Sequence, residues 1–386
     1  MLRGLGIAAL AVLLAGCTAS PMPAPSSAAP TPSGDGVLRI GTLFSTATPA
    51  AAGSTAAVNA AVREIDAAGG VDGAPVEVLS RNAGTAGDGT AEASVADLIA
   101  RGVDVVIGPS DVAVAELVLP LLADAGIPLL SPAALGDRPE GAGMFRTVPS
   151  ARAQGAVLRD LIGDGTVALL RTGDPAAEAF ASGLGDLSAD IVIGDDPAAD
   201  AAQIADSAPD AVVLAAPDAG PGTAALIAAL ASSGYTGDTL WVTGSAVARY
   251  DPAEASLAGA HGFQAAPPSD PAFVARIRQE DPGARSLLAA APAYDATVLA
   301  ALAATLAGDD GGPSIAASLP SAAGHGIHCG SYGECLHVLQ TQTDVAYVGV
   351  SGPLDFDGAG DRAQAGYTTY VYGDDGVPGE PQTLTK

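Results

Sequence analysis

Short β-branched and apolar runs alternate along the chain with longer alanine-rich stretches of helical period. Residues 37–41 read as a strand, and residues 53–68 as a helix stopped by Gly69 and Gly70. Strands are predicted at 76–79, at 103–107 before Gly108-Pro109, and at 127–130 before Ser131-Pro132. Helices are predicted between them at 90–101 and 112–124. Short connections between alternating strands and helices imply a parallel sheet covered on both faces. The rhythm restarts after residues 144–148, with strands at 166–170, 191–193, 211–214 and 240–243 and helices beginning near Arg152, Ala176 and Gly222. Two successive α/β units, and a length beyond that of a usual single domain, predict two lobes. Residues 290–306 are almost pure Ala and Leu and predict a core helix, while residues 367–372 alternate as a late strand. In such sheets ligands sit beyond the carboxyl ends of the strands, so the candidate loops are 45–50, 110–112, 131–135, 172–174, 217–220 and Ser245.

The N-terminus carries a different pattern. Arg3 precedes an apolar run at 6–14, which is too short for a permanent membrane span and suits a cleaved signal peptide, residues 1–16. Leu14-Ala15-Gly16-Cys17 resembles the bacterial lipobox, which implies acylation of Cys17 and a lipid-anchored place on the extracytoplasmic face of the cell membrane. Residues 17–36, rich in Pro, Ala, Ser and Thr, read as a flexible tether because they bury too little to repay ordering.

Charge and composition then remove whole classes. A net charge of −27 leaves no basic footprint for nucleic acid. Lys386 is the only lysine, which excludes a Walker phosphate loop and an internal Schiff base. No Gly-x-Ser-x-Gly elbow occurs, and His261 stands alone in a turn, so no catalytic constellation emerges and no enzyme is expected. His325, His328, Cys329, Cys335 and His337 lie close together. They read either as a metal site or as a disulfide from Cys329 to Cys335 with exposed histidines; an exported location and the even pair left after Cys17 favour the disulfide. The acidic run 355–361 has Gly366 where a calcium loop needs glutamate, so a tight turn is expected there, with no metal or other cofactor.

Ordered blocks along the chain resemble the branched-chain amino acid (leucine-binding-like) substrate-binding proteins of ABC transporters. They are Gly41-Thr42-Leu43-Phe44, Val62-Arg63-Glu64-Ile65-Asp66 with Gly69-Gly70-Val71-Asp72-Gly73, and Val105-Val106-Ile107-Gly108-Pro109. Ile127 to Ala133, Phe145 to Ser150, Ala293-Tyr294-Asp295-Ala296 and Ser351 to Asp357 continue the series. The resemblance implies an α/β, two-lobed type I periplasmic-binding-protein fold, each lobe a parallel sheet flanked by helices, joined by three crossovers. It implies lobe 1 at 37–149 plus 267–345 and lobe 2 at 150–266 plus 346–386. It also implies a monomeric solute receptor of an ABC importer, with a small amino acid-like or other polar or aliphatic ligand and permease subunits as partners. Ligand contacts are expected at Ser45, Ser110, Asp111, Val112, Ala133, Ala134, Leu135 and Ser245. This chain departs from the family's usual grip on an amino acid. Val112 and Leu135 stand where hydroxyl side chains hold the α-carboxylate, Ala50 replaces a tyrosine, and no carboxylate lies near Ser245 for the ammonium. Asp111 reads more readily as a helix cap. The alternative function is a receptor-like lipoprotein that senses or scaffolds without transport.

Overall fold

The computed structural model describes residues 1, 30–48, 50–132, 143–266, 270–284, 286–324 and 326–386. The first sheet has the order β2-β1-β3-β4-β5, built from β1 (Arg39–Phe44), β2 (Glu77–Asn82), β3 (Val105–Ile107), β4 (Leu129–Ser131) and β5 (Met144–Arg146), all parallel. Between the strands run α1 (Ala50–Ala67), α2 (Thr90–Ala100) and α3 (Val112–Asp124). The second sheet begins with α4 (Ala151–Ile162), β6 (Val167–Arg171), α5 (Pro175–Leu184) and β7 (Ala189–Val192). It continues through α6 (Pro197–Asp206), β8 (Ala211–Ala215), α7 (Pro221–Ser232), β9 (Leu240–Thr243) and β10 (His261–Gln264).

The chain then returns to the first lobe through α8 (Pro271–Glu280), α9 (Ala290–Ala307) and α10 (Gly312–Ala323). A small sheet of β11 (Ile327–Cys329), β12 (Val345–Gly349) and β13 (Gly352–Pro353), with α11 (Tyr332–Leu339), packs beside α9 and α10. Finally β14 (Gly366–Val371) and β15 (Gln382–Thr385) join the second sheet, whose order is β15-β14-β10-β9-β8-β6-β7. Only the pairings of β14, with β10 on one side and β15 on the other, are antiparallel in it. The two lobes and the alternating plan are therefore as the hydrophobic pattern predicts.

Local chemistry explains where the elements start. Helices α5, α6 and α8 each open on Asp-Pro. The aspartates at 174, 196 and 270 accept from the first-turn N–H groups, and the following prolines occupy a position that needs no donor. Helix α9 is buried on nearly all sides and fills the first lobe's core against α1 and α10. By length and composition α9 would also pass as a membrane span, but here it is a packed core helix.

The turn after α1 is held by backbone and side chain together. Gly70 has φ +75°, and a Cβ there would meet the Ala74 carbonyl oxygen at 2.0 Å, so glycine is required. Glu64 accepts from Arg276 and from the Tyr294 hydroxyl, both at 2.5 Å, and so joins α1, α8 and α9. Ahead of β1, the chain is fastened to the loop before α10. Gly34 N–H donates to Asp309 at 2.8 Å, Gly36 N–H to Asp310 at 3.0 Å, and Val37 N–H to Asp310 at 3.2 Å.

Candidate functional site

The carboxyl ends of β1, β3 and β4 lie side by side, and three local features shape their loops. Gly108 has φ +101°, and a Cβ there would sit 2.4 Å from the Leu43 carbonyl oxygen, so this backbone approaches β1 as only glycine can. The Gly108-Pro109 peptide bond is cis. Buried Ser131 donates its hydroxyl to the Pro109 carbonyl at 3.2 Å, tying the end of β4 to the loop after β3.

The expected ligand residues fall around this floor. Ser45 follows β1 and its carbonyl receives the N–H and hydroxyl of Thr48 at 3.0 Å each. Ser110 is exposed in the loop after β3. Asp111 is the N-cap of α3, its carboxylate accepting from Val114 N–H at 2.9 Å. The capping role expected as its alternative is thus present, and it occupies one carboxylate oxygen. Val112 opens α3 and leans on the core between α2 and α3. Ser245 is exposed at the carboxyl end of β9, in the short 3₁₀ turn Gly244–Ala246 of the second sheet. The first-lobe residues are brought together by adjacent strands, and Ser245 stands at the equivalent end of the other sheet. Helix α3 touches α5 of the second lobe. Ala133, Ala134, Leu135, Cys17 and His325 lie outside the described residues.

Sequence reasoning missed a cavity of about 720 Å³ next to this floor. It is formed by the carboxyl ends of β1 and β2, the first turns of α1 and the end of α8. Phe44, Thr46, Thr55, Asn59 and Asn82 are among its lining residues, and Asp281 closes one side. The clue in the sequence was the hydroxyl-rich stretch 45–48 followed by Thr55 and Asn59 at helical spacing. All of its lining residues come from the first lobe, so it flanks the interlobe loops instead of bridging them.

Other candidates resolve into structural roles. Cys329 and Cys335 are both buried and their sulfurs are bonded to each other. His328 and His337 are exposed, and no group of metal-ligating side chains is found among the described residues. The acidic run is a tight turn: Asp357 accepts from the N–H groups of Ala359 and Asp361 at 2.9 Å each. Asp361 forms an ion pair with Arg146, which is fully buried. His261 stacks on Trp241 with ring centroids 4.3 Å apart, and burial pushes its pKa down.

The sequence model of the periplasmic binding protein family matches residues 37–375. The chain belongs to that family. No curated protein matches it in sequence. Solved structures share the fold at low identity. The branched-chain amino acid transporter substrate-binding protein LivJ of Streptococcus pneumoniae, in complex with isoleucine, superposes with a TM-score of 0.67 at 17% identity, covering 91% of this chain and 100% of that one. A solute-binding protein of an ABC transporter from Rhodopseudomonas palustris, in complex with p-hydroxybenzoic acid, gives 0.66 at 17% identity, with 90% and 97% covered. An ABC transporter substrate-binding protein from Desulfitobacterium hafniense, in complex with Leu, gives 0.64 at 20% identity, with 90% and 100% covered. This periplasmic binding protein therefore has the two-lobed type I fold expected from its sequence blocks.

Proposed function

We propose that this chain is the lipid-anchored solute receptor of an ABC importer, and that it takes a small solute between its lobes and closes on it. The observation that carries this reading is the family match over 37–375, joined to strand ends of both sheets that present Ser45, Ser110 and Ser245. Ligand touching both lobes would favour the closed form by its differential contacts. Family membership likewise supports binding without catalysis.

The ligand is a small, partly apolar solute, held differently from an α-amino acid. Val112 offers no hydroxyl, and Asp111 already spends one oxygen on its helix. The structural relatives in complex with isoleucine, leucine and p-hydroxybenzoic acid share this fold, so the fold accommodates aliphatic and aromatic acids alike. A thermal-shift panel of amino acids, amides, urea, short aliphatic acids and benzoates tests the reading. A true ligand at a hundred times its Kd stabilises by about 2.7 kcal/mol, and the shift grows with concentration. A panel with no shift would overturn transport in favour of a sensing or scaffolding lipoprotein. Strong stabilisation by leucine would overturn the argument from Val112.

A further inference from the structure

The third passage between the lobes contains a buried cation bound almost entirely by backbone. After β13 the chain makes the turn around Asp357 and returns through Arg362 before entering β14. Arg362 is only 6% exposed. Its Nη1 donates to the Thr147 carbonyl at 3.0 Å, and its Nη2 to the Ser351 carbonyl at 3.0 Å and to the Pro353 carbonyl. Thr147 follows β5, where the first passage out of this lobe begins, and its hydroxyl donates to the Pro292 carbonyl of α9 at 2.9 Å. One guanidinium therefore joins the first and third passages. Only arginine's planar fork, with several donors fixed in direction, reaches carbonyls on separate segments at once.

Two further contacts hold the same stretch to the first lobe. Asp295 of α9, fully buried, accepts from Val350 N–H at 3.0 Å, Ser351 N–H at 2.8 Å, the Tyr347 hydroxyl at 2.9 Å and the Ser351 hydroxyl. Arg146 of β5 pairs with Asp361, and its N–H donates to the Gly360 carbonyl at 2.9 Å. Beyond Arg362 the partners change lobe within a few residues. Ala363 N–H still donates to Asp355 on the first-lobe side, whereas Ala365 exchanges hydrogen bonds with Lys386 of the second. Gln364 between them is exposed.

We propose that Arg362 is a positioning residue that fastens residues 350–362 to the first lobe, confines the pivot of this passage to residues 363–365, and so sets the resting angle between the lobes. The inference rests on the reading of the chain as a receptor that works by lobe closure. It places the pivot well beyond the lobe boundary at 345/346 that the family resemblance implies. Burial of Arg362 lowers its pKa to about 10, with Asp295 opposing the fall, so it stays charged at neutral pH.

The test measures the lobe–lobe distance with no ligand or permease, so its outcome is independent of transport. The full chain carries Cys17→Ser and spin labels at Asp124→Cys in the first lobe and Asp186→Cys in the second, both exposed sites. Arg362→Met and Arg362→Lys are expected to widen the distance distribution by about twofold or shift its maximum, as a loosened hinge requires. Hydrogen exchange at Val350 and Ser351 should quicken roughly tenfold while β1 stays protected, the mark of local opening. Arg63→Met, which removes an exposed cation of the same lobe, should leave the distribution unchanged. Where Arg362→Met does not fold, Ser351→Ala joins Arg362→Lys, since it removes the hydroxyl that helps Asp295 hold the same segment. Unchanged distributions in the folded variants, or equal widening by Arg63→Met, overturn the proposal.

Discussion

Asp295 and Asp104 both leave water and burial pushes both pKa values up, but the donors that meet them differ. Asp295 meets four donors, from Tyr347, Val350 and Ser351, which accounts for a carboxylate in a largely apolar helix, while Tyr294 beside it donates to Glu64. Asp104 accepts one N–H, from Arg39 at 2.7 Å. Burial therefore pushes its pKa up to about 7, and repulsion from Asp310 and Asp35 adds to the rise against the hydrogen bond from Arg39. A carboxyl whose folded pKa is raised binds more protons folded than unfolded between about pH 4 and 7. Its favourable share is full below the unfolded value of 3.8 and is lost as pH rises through about 7. Asp104→Asn should then raise the melting temperature at pH 8 while gaining almost nothing at pH 4. Melting curves across that range check it; an advantage independent of pH would refute the assignment. The sequence showed Asp104 only as a polar residue inside a strand pattern. Its raised pKa comes first from burial and then from Asp310, more than two hundred residues away, and neither could be displayed by a local pattern.

Among the elements, legibility followed the strength of local signals. Helices α2 and α3 stand within about a residue of their expected bounds because caps, glycines and apolar period agree there. Helices α6 and α8 are absent from the sequence expectation although Asp196-Pro197 and Asp270-Pro271 announce them as clearly as Asp174-Pro175 announces α5. The start of α1 at Ala50 and the reach of β1 to Phe44 were hidden by a loop without a strong cap. The segment 33–37 behaves as an element of its own, since Asp309 and Asp310 take its N–H groups one after another. The hydroxyl of Ser314 and the N–H groups of Gly34 and Ser33 hold the Asp309 carboxyl below its ordinary pKa. That stabilisation is present above the unfolded value of 3.8 and fades as pH falls through the lower folded value. Asp309→Asn with Asp310→Asn should free the segment at neutral pH, seen as faster proteolytic cutting at residues 33–37 with the body intact. Equal cutting rates in both proteins would show that the strap is held by something else.

For the whole molecule, the strap docked ahead of β1 joins the first lobe at the amino ends of its strands, away from the ligand loops, which is where the proposed anchoring through Cys17 would pull. Cys17→Ala should abolish incorporation of labelled fatty acid and release the folded chain from the membrane fraction; retention in that fraction would refute anchoring through this thiol. By itself the sequence determined the alternation of strands and helices, the two lobes, the core helix α9 and the classes of chemistry that lysine and charge exclude, because these follow from periodicity and composition at short range. Of the candidate site it determined the loops, because strand ends in a parallel sheet are where backbone and space for a ligand coincide. Only the tertiary structure decided what those loops have left to offer. Asp111 is spent on a cap, Ser131 on Pro109, and a side cavity beside Phe44 gathers further hydroxyls and amides, among them those of Thr55, Asn59 and Asn82. It also decided the hinge, where Thr147, Asp295, Ser351 and Arg362 meet from four separate stretches of chain. Hydrogen bonds between residues so far apart in sequence leave no period to read, and exist only once the first lobe has brought these stretches together.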